Sequence, residues 1–159
     1  YEIAQCLVGS EMCIRDRETI PELFRQLMRV RAVFRQAMLK KLKENNIEMT
    51  FEMLQIMHAL WLEQGISQQT LAFNTVRDKA SLTSLINNLE KKGLVERKSI
   101  ATDGRSKLIF LSEKGEELSL ILKPMVNDVY AHIEKKIGFD ATKQAISYME
   151  KVYDELENF

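Results

Sequence analysis

The amino-acid sequence predicts a mainly α fold of eight elements in the order α-α-α-α-β-β-α-α, and three observations predict it. Apolar residues recur at helical spacing through most of the chain. Between Leu94 and Leu111 the period shortens to two, the mark of a hairpin. Thr50, Ser67, Asp78 and Ser112, residues suited to capping helix N-termini, stand directly ahead of periodic segments. With 159 residues, 45% hydrophobic and 29% charged, the chain has the size and balance of one globular domain, with or without terminal helices. Those figures exclude a collagen, a disulfide framework and a disordered segment.

The opening run YEIAQCLVGSEMCIRDR carries no amphipathic stripe, and its small, sulfur-bearing and charged residues lack a consistent period. It resembles translated adapter sequence, so residues 1–17 are read as a non-native leader. Glu2 stands where a secretory signal would be basic, and Glu11, Arg15, Asp16 and Arg17 occupy the place of a cleavage region, which argues against secretion. Both cysteines, Cys6 and Cys13, fall in this run. The rest of the chain uses none, which suits a reducing compartment, and a cytoplasmic location is expected. The longest uncharged stretch, Gln64 to Val76, is too short and too polar to span a bilayer, so no membrane partner is expected.

From Glu18 to Glu44 a broad stripe (Ile20, Leu23, Phe24, Leu27, Met28, Phe34, Met38, Leu42, widened by Val30, Val33 and Ala37) predicts a long helix with two packing partners, ended by Asn45 and Asn46. Phe51 to Leu62 is apolar nearly all round and should be central to the core, with Gly65 as its stop. Ser67 caps the short helix SQQTLAFN, Asn74 to Arg77 make a turn, and Asp78 caps KASLTSLINNLEKK, which Gly93 closes. Two helices joined by a tight turn are a helix-turn-helix candidate. Leu94 to Ser99 and Lys107 to Leu111 read as paired strands around the turn sequence ATDGR. Ser112 caps a helix running to about Lys136, in which Pro124 should kink the chain near Leu120. A last helix from Asp140 presents Ile146, Met149, Val152, Tyr153 and Leu156.

A formal net charge of zero conceals a gradient. Ile66 to Ser112 holds eight cations against four anions, the last 47 residues hold six against ten, and Tyr1 to Gly65 balances at nine against nine. A basic middle in a neutral chain points to a confined polyanion site. Catalysis is not expected: there is no Gly-rich phosphate loop, nucleophile elbow, HExxH or CxxC pair, and only His58 and His132 are histidines. Neither a cofactor nor a metal is expected. His58, beside Trp61 on an apolar helix, reads as a core histidine rather than a ligand, and His132, near Asp128 and Glu134, as a solvated one in preference to a weak metal contact.

The helix from Lys79 to Lys92 has two unlike faces. Ala80, Leu82, Leu85, Ile86 and Leu89 account for the inner one. Lys79, Ser81, Thr83, Ser84, Asn87 and Asn88 are left outside, and these short hydrogen-bonding side chains suit the edges of bases in a DNA major groove. Taken alone, the segment is equally an ordinary capped surface helix. Its neighbours shift that balance, because a helix-turn-helix followed by a hairpin with Arg105 and Lys107 at its tip is a winged helix-turn-helix. In the wing Gly104 permits the turn and Arg105 can reach a narrow minor groove. Asp103 would hold Arg105 extended through a charge-assisted hydrogen bond, the alternative being an exposed turn with an incidental ion pair.

The run SQQTLAFNTVRDKASLTSLINNLEKKGLVERKSIATDGRSKLIFLSEKGEEL resembles the MarR (multiple antibiotic resistance regulator) family of bacterial transcription factors, on its LEKKGLVER block, wing Asp103 and Arg105, and LSEKG helix start. The resemblance extends from about Glu18 to Phe159. It implies a homodimer built from an N-terminal helix (18–48) and C-terminal helices (113–159) around a DNA-binding module (49–112). It further implies a near-palindromic double-stranded operator, and release by a small, commonly phenolic effector, most often from a repressor. Phe24, Met28, His58 and Trp61 are candidates to line the effector crevice, with buried core as the alternative for all four. Ser84 stands where many members place an arginine, so base preference does not carry over. Some members resemble thiol switches, but Cys13 belongs to the leader and is not read as one. The rival expectation is a winged module that docks on protein without specific DNA binding.

Overall fold

The computed structural model describes the backbone of residues 2–100 and 103–159 and the side chains of residues 19–99 and 107–159. The chain forms two compact units, Tyr1–Asn46 and Ile47–Phe159.

The first unit is one helix, α1 (Glu2–Glu44). It begins well ahead of the Glu18 start expected from the apolar stripe. Glu, Ala, Gln, Leu, Met and Arg fill much of the early stretch and favour helix whether or not their apolar members line up, so periodicity is blind to them. Pro21 lies inside the helix and withholds one N–H without ending it. Met38 and Leu42 are buried, whereas Ile20, Met28, Val30 and Val33 stay exposed. The end comes at the two asparagines: Asn45 Nδ2 donates to the Lys41 carbonyl at 2.8 Å and Asn46 takes φ 55°.

The second unit is built around α2 (Phe51–Leu62), whose Thr50 cap accepts from Met53 N at 3.2 Å. Six of its twelve residues are buried, and most of the others are half-buried. Next comes a strand that was not expected, β1 (Ile66–Ser67). Two residues are too few to show a period, and pairing with Ile109 and Leu108 creates this strand from a distance. Gly65 leads into it with φ 71°, its N–H donating to the Ile109 carbonyl at 3.0 Å. A β-carbon there would meet the tip of the Phe110 ring at 2.8 Å, so any other residue would have to displace that ring as well as adopt the left-handed φ.

The short helix α3 (Gln68–Asn74) is capped by Ser67, which accepts from Thr70 N at 3.0 Å, and α4 (Lys79–Lys91) is capped by Asp78, which accepts from Ser81 N at 2.8 Å. Both end in the same paired-bond motif with a left-handed residue. After α4 that residue is Gly93 (φ 71°), flanked by the bonds Gly93 N to Glu90 O and Leu94 N to Leu89 O. After α3 it is Val76 (φ 51°), with Val76 N to Phe73 O and Arg77 N to Ala72 O.

Strands β2 (Val95–Ile100) and β3 (Asp103–Leu111) form the wing, in a three-stranded antiparallel sheet of order β1-β3-β2. The register runs Val95 to Leu111, Arg97 to Ile109 and Ser99 to Lys107, and breaks between Ser99 and Ile100. The second strand therefore starts at Asp103 and not at Lys107: Asp103, Gly104 and Arg105 lie in strand backbone rather than in the turn where the sequence reading put them. Asp103 to Ser106 are polar or glycine throughout, so they carry no alternation by which a strand could be recognised.

Helix α5 (Glu113–Ile137), capped by Ser112, runs through Pro124 as one helix, and α6 (Phe139–Glu157) begins one residue before the expected Asp140. The core joins Ile56, Met57 and Leu60 of α2 to Leu71, Leu82, Ile86, Leu89, Ile109 and Leu122, each at most 1% exposed. On α6 no residue is buried. The architecture is mainly helical with a small sheet: a winged helix-turn-helix of α3, α4 and the β2–β3 hairpin. Among the described residues no helix is long and apolar enough to cross a membrane.

Candidate nucleic-acid interface

Helix α4 presents its polar side because Leu82, Ile86 and Leu89, at i, i+4 and i+7, take the core-facing stripe. Lys79, Ser81, Ser84, Asn87 and Asn88 are exposed. Two assignments change. Ala80, expected on the inner side, is exposed, because it precedes the Leu82 stripe on the first turn; Thr83, expected outside, is half-buried. Thr83 Oγ1 donates to the Lys79 carbonyl at 2.7 Å and accepts from Gln68 Nε2 of α3, so it ties the two helices of the motif together.

The exposed polar groups divide by commitment. Ser81 is held by Asp78, to which its hydroxyl donates at 2.6 Å. Those bonds, with Ser81's hydroxyl first, hold the Asp78 carboxyl below its ordinary range, so the cap persists at neutral pH and weakens only as pH falls through that lowered value. Asn87 Oδ1 accepts from Arg97 Nη2 on β2 at 2.9 Å, and Arg97 Nη1 also pairs with Glu90 Oε2. Among the described residues, the side chains of Lys79, Ser84 and Asn88 make no hydrogen bond or ion pair. Ser84 and Asn88 are four residues apart and so share one face.

Several middle-segment cations are likewise engaged. Arg77 donates to Gln55 Oε1 at 2.6 Å, Lys92 to the Glu48 carbonyl at 3.3 Å, and Lys98 pairs with Glu96 at 2.7 Å while lying 5.0 Å from the Phe110 ring centre. Lys107 is exposed on β3 opposite Ser99. The side chains of Asp103 and Arg105 lie outside the described residues. Sequence reasoning missed Arg97 as a partner of α4: the contact joins residues ten apart across two elements, and the only signal was an arginine in a strand flanking the helix.

The candidates for an effector crevice fare differently. His58 and Trp61 are half-buried neighbours, their ring centres 4.9 Å apart edge to face, with Tyr130 of α5 at 6.4 Å from His58. Burial lowers the His58 pKa from its ordinary 6.5 and raises that of Tyr130. Phe24 and Met28 belong to the first unit and are exposed, 38% and 67%, rather than core. His132 is exposed, and no group of three acidic, histidine or cysteine side chains that could hold a metal occurs among the described residues.

Residues 50–107 match the sequence model of the MarR family. In fold the chain is similar to a mutant of MarR from E. coli complexed with operator DNA, with TM-score 0.73 and 20% identity over 85% of this chain and 96% of that one. It is similar also to S. aureus MepR in a DNA complex, with TM-score 0.72 and 23% identity over 86% of this chain and 98% of that one. NadR in complex with 4-hydroxyphenylacetate aligns with TM-score 0.66 and 26% identity over 82% of this chain and 89% of that one. The chain is thus similar to the MarR family in sequence across residues 50–107 and to solved structures of that fold across most of its length.

Proposed function

We propose that this protein is a dimeric, sequence-specific DNA-binding transcriptional regulator, and in particular a repressor released by a small aromatic effector. The observation that carries the reading is the face of α4 where Lys79, Ser84 and Asn88 are exposed with their polar groups uncommitted. On this reading α4 enters the major groove with Lys79, Ser81, Ser84, Asn87 and Asn88, while Thr83 braces it against α3, and the wing brings Asp103, Arg105 and Lys107 to the flanking minor groove. The complexes of MarR and MepR with DNA support it by shared fold.

Two terminal helices expose apolar residues, Ile20, Met28, Val30 and Val33 on α1 and Ile146, Tyr153 and Leu156 on α6, which fits a homodimer formed through them and a near-palindromic operator. The aromatic cluster of His58, Trp61 and Tyr130 supports the effector, as does the phenolic ligand in the NadR structure.

The test is binding to a randomised duplex pool over a range of salt. Affinity for DNA should fall steeply with salt, and Arg105→Ala should lower it about tenfold or more and flatten the slope by about one unit. Salt-insensitive or absent binding would favour a protein-docking winged module instead.

A further inference from the structure

We propose that Arg97 is a positioning residue that sets the direction of the wing against α4, and with it the span between major-groove and minor-groove contacts on DNA. The inference rests on the DNA-binding reading above and adds to it the part that aims the wing.

Arg97 occupies an inward position of its strand. Alternation along β2 places Val95 and Arg97 on one face and Glu96 and Lys98 on the other. Val95 is buried, and so is Ile109, the cross-strand partner of Arg97, so an apolar residue would suit position 97. The guanidinium there is instead compensated from α4: Nη1 pairs with Glu90 Oε2, and Nη2 donates to Asn87 Oδ1 at 2.9 Å. Asn87 and Glu90 are three residues apart and share one face of the helix, so one planar fork reaches both. A single bond would act as a pivot, whereas two bonds from one plane fix an angle. The side chains of Arg97 and Glu90 are 19% and 30% exposed, so the pair is largely shielded from water and salt.

That angle is set at the root of the wing. β1 pairs with β3 only at Leu108 and Ile109, the residues that face Lys98 and Arg97 on β2. The sheet has three strands at that level, and from Ser99 and Lys107 outward the hairpin has two. A two-stranded ribbon twists readily and takes its direction from its root, which Arg97 ties to α4. Replacing a shielded ion pair by apolar side chains of similar volume often leaves stability unchanged or raises it, yet it removes the fork. Stability and aim are therefore separable.

The full-length protein is used to select its preferred half-sites from a randomised pool, and these are placed in A·T flanks. Replacing flank adenines by 2,6-diaminopurine adds an amino group to the minor groove and keeps the major-groove pattern. Within a half-site, A·T is exchanged for inosine·cytosine, or G·C for diaminopurine·thymine, which changes the major groove and preserves the minor. Each replacement should cost the wild type about tenfold. Glu90→Leu combined with Arg97→Met should keep the urea midpoint and the half-site penalty, and should shrink the flank penalty to about threefold or less. Arg105→Ala, costly in the wild type, should cost that double variant little. Arg97→Lys keeps the charge without the planar fork and should lose the flank penalty too, which carries the test if the double variant does not fold. A folded variant of either kind with an undiminished flank penalty, or with both penalties shrunk equally, overturns the inference while leaving DNA binding intact. A wild type that feels the half-site exchange but not the flank replacement overturns it also, because the wing then reaches no minor groove. A wild type that enriches no duplex overturns the DNA-binding reading itself.

Discussion

Gly115 lies where only a hydrogen fits against Leu94: a β-carbon at Gly115 would stand 2.0 Å from the Leu94 carbonyl oxygen. The same carbonyl accepts from Ser112 N at 3.1 Å, and the Ser112 hydroxyl donates to the Gly93 carbonyl at 2.5 Å while accepting from Gly115 N. The first turn of α5 is thereby laced to the chain that leaves α4 and enters the wing. Since the clash is with backbone, no side chain can swing aside to relieve it. Gly115→Ala should destabilise the fold by about 3 kcal/mol, read from the urea midpoint, and should impair DNA binding by displacing β2. An unchanged midpoint would show that the two backbones can part without loss.

Val76 is the converse case. It is 93% exposed and holds a left-handed φ of 51°, a conformation costly for an L-residue and worst for a β-branched one. No packing is lost when its side chain is removed, so Val76→Gly should stabilise by about 1 kcal/mol after the extra flexibility of the unfolded chain is counted. Val76→Asn should do the same to a lesser degree. Thermal unfolding of both variants checks the point, and a lower midpoint in each would mean that the valine makes a contact worth more than its strain.

His58 sets a pH dependence of definite sign. Burial holds its pKa below 6.5, so as pH falls the unfolded chain takes up the proton before the folded one does. Stability contributed by the neutral imidazole is full above about 6.5 and declines as pH drops through the lowered folded value. Trp61 is the sole tryptophan and its ring centre lies 4.9 Å from that of His58, so its fluorescence should titrate with a midpoint below 6.5. His58→Gln should abolish that titration. A midpoint above 6.5 in the wild type would reverse the sign of the argument.

The apolar face of α6 tests assembly. Ile146 and Leu156 are 53% and 59% exposed, and carboxylates at both positions would have to be desolvated in any dimer that buries them. Ile146→Glu combined with Leu156→Glu should give a monomer by sedimentation at about micromolar concentration, with helical content retained and DNA affinity lowered. A wild type that already sediments as a monomer, with and without DNA, would exclude the dimer.

Much of this protein was determined by chemistry acting within a few residues, and that part was legible in its sequence. Thr50, Ser67, Asp78 and Ser112 each cap a helix by accepting from an N–H three residues on, so identity and spacing suffice to place four helix starts. The buried Leu82, Ile86 and Leu89 could be read from spacing alone, and the polar face of α4 follows from them. Only the tertiary structure decided which of those polar groups are spoken for. Thr83 is claimed by Gln68 fifteen residues away, Asn87 by Arg97 ten residues away, and the strand at Ile66 exists because Ile109 pairs with it. Such bonds leave no period in the sequence, because each depends on where the packing of other elements brings its partner.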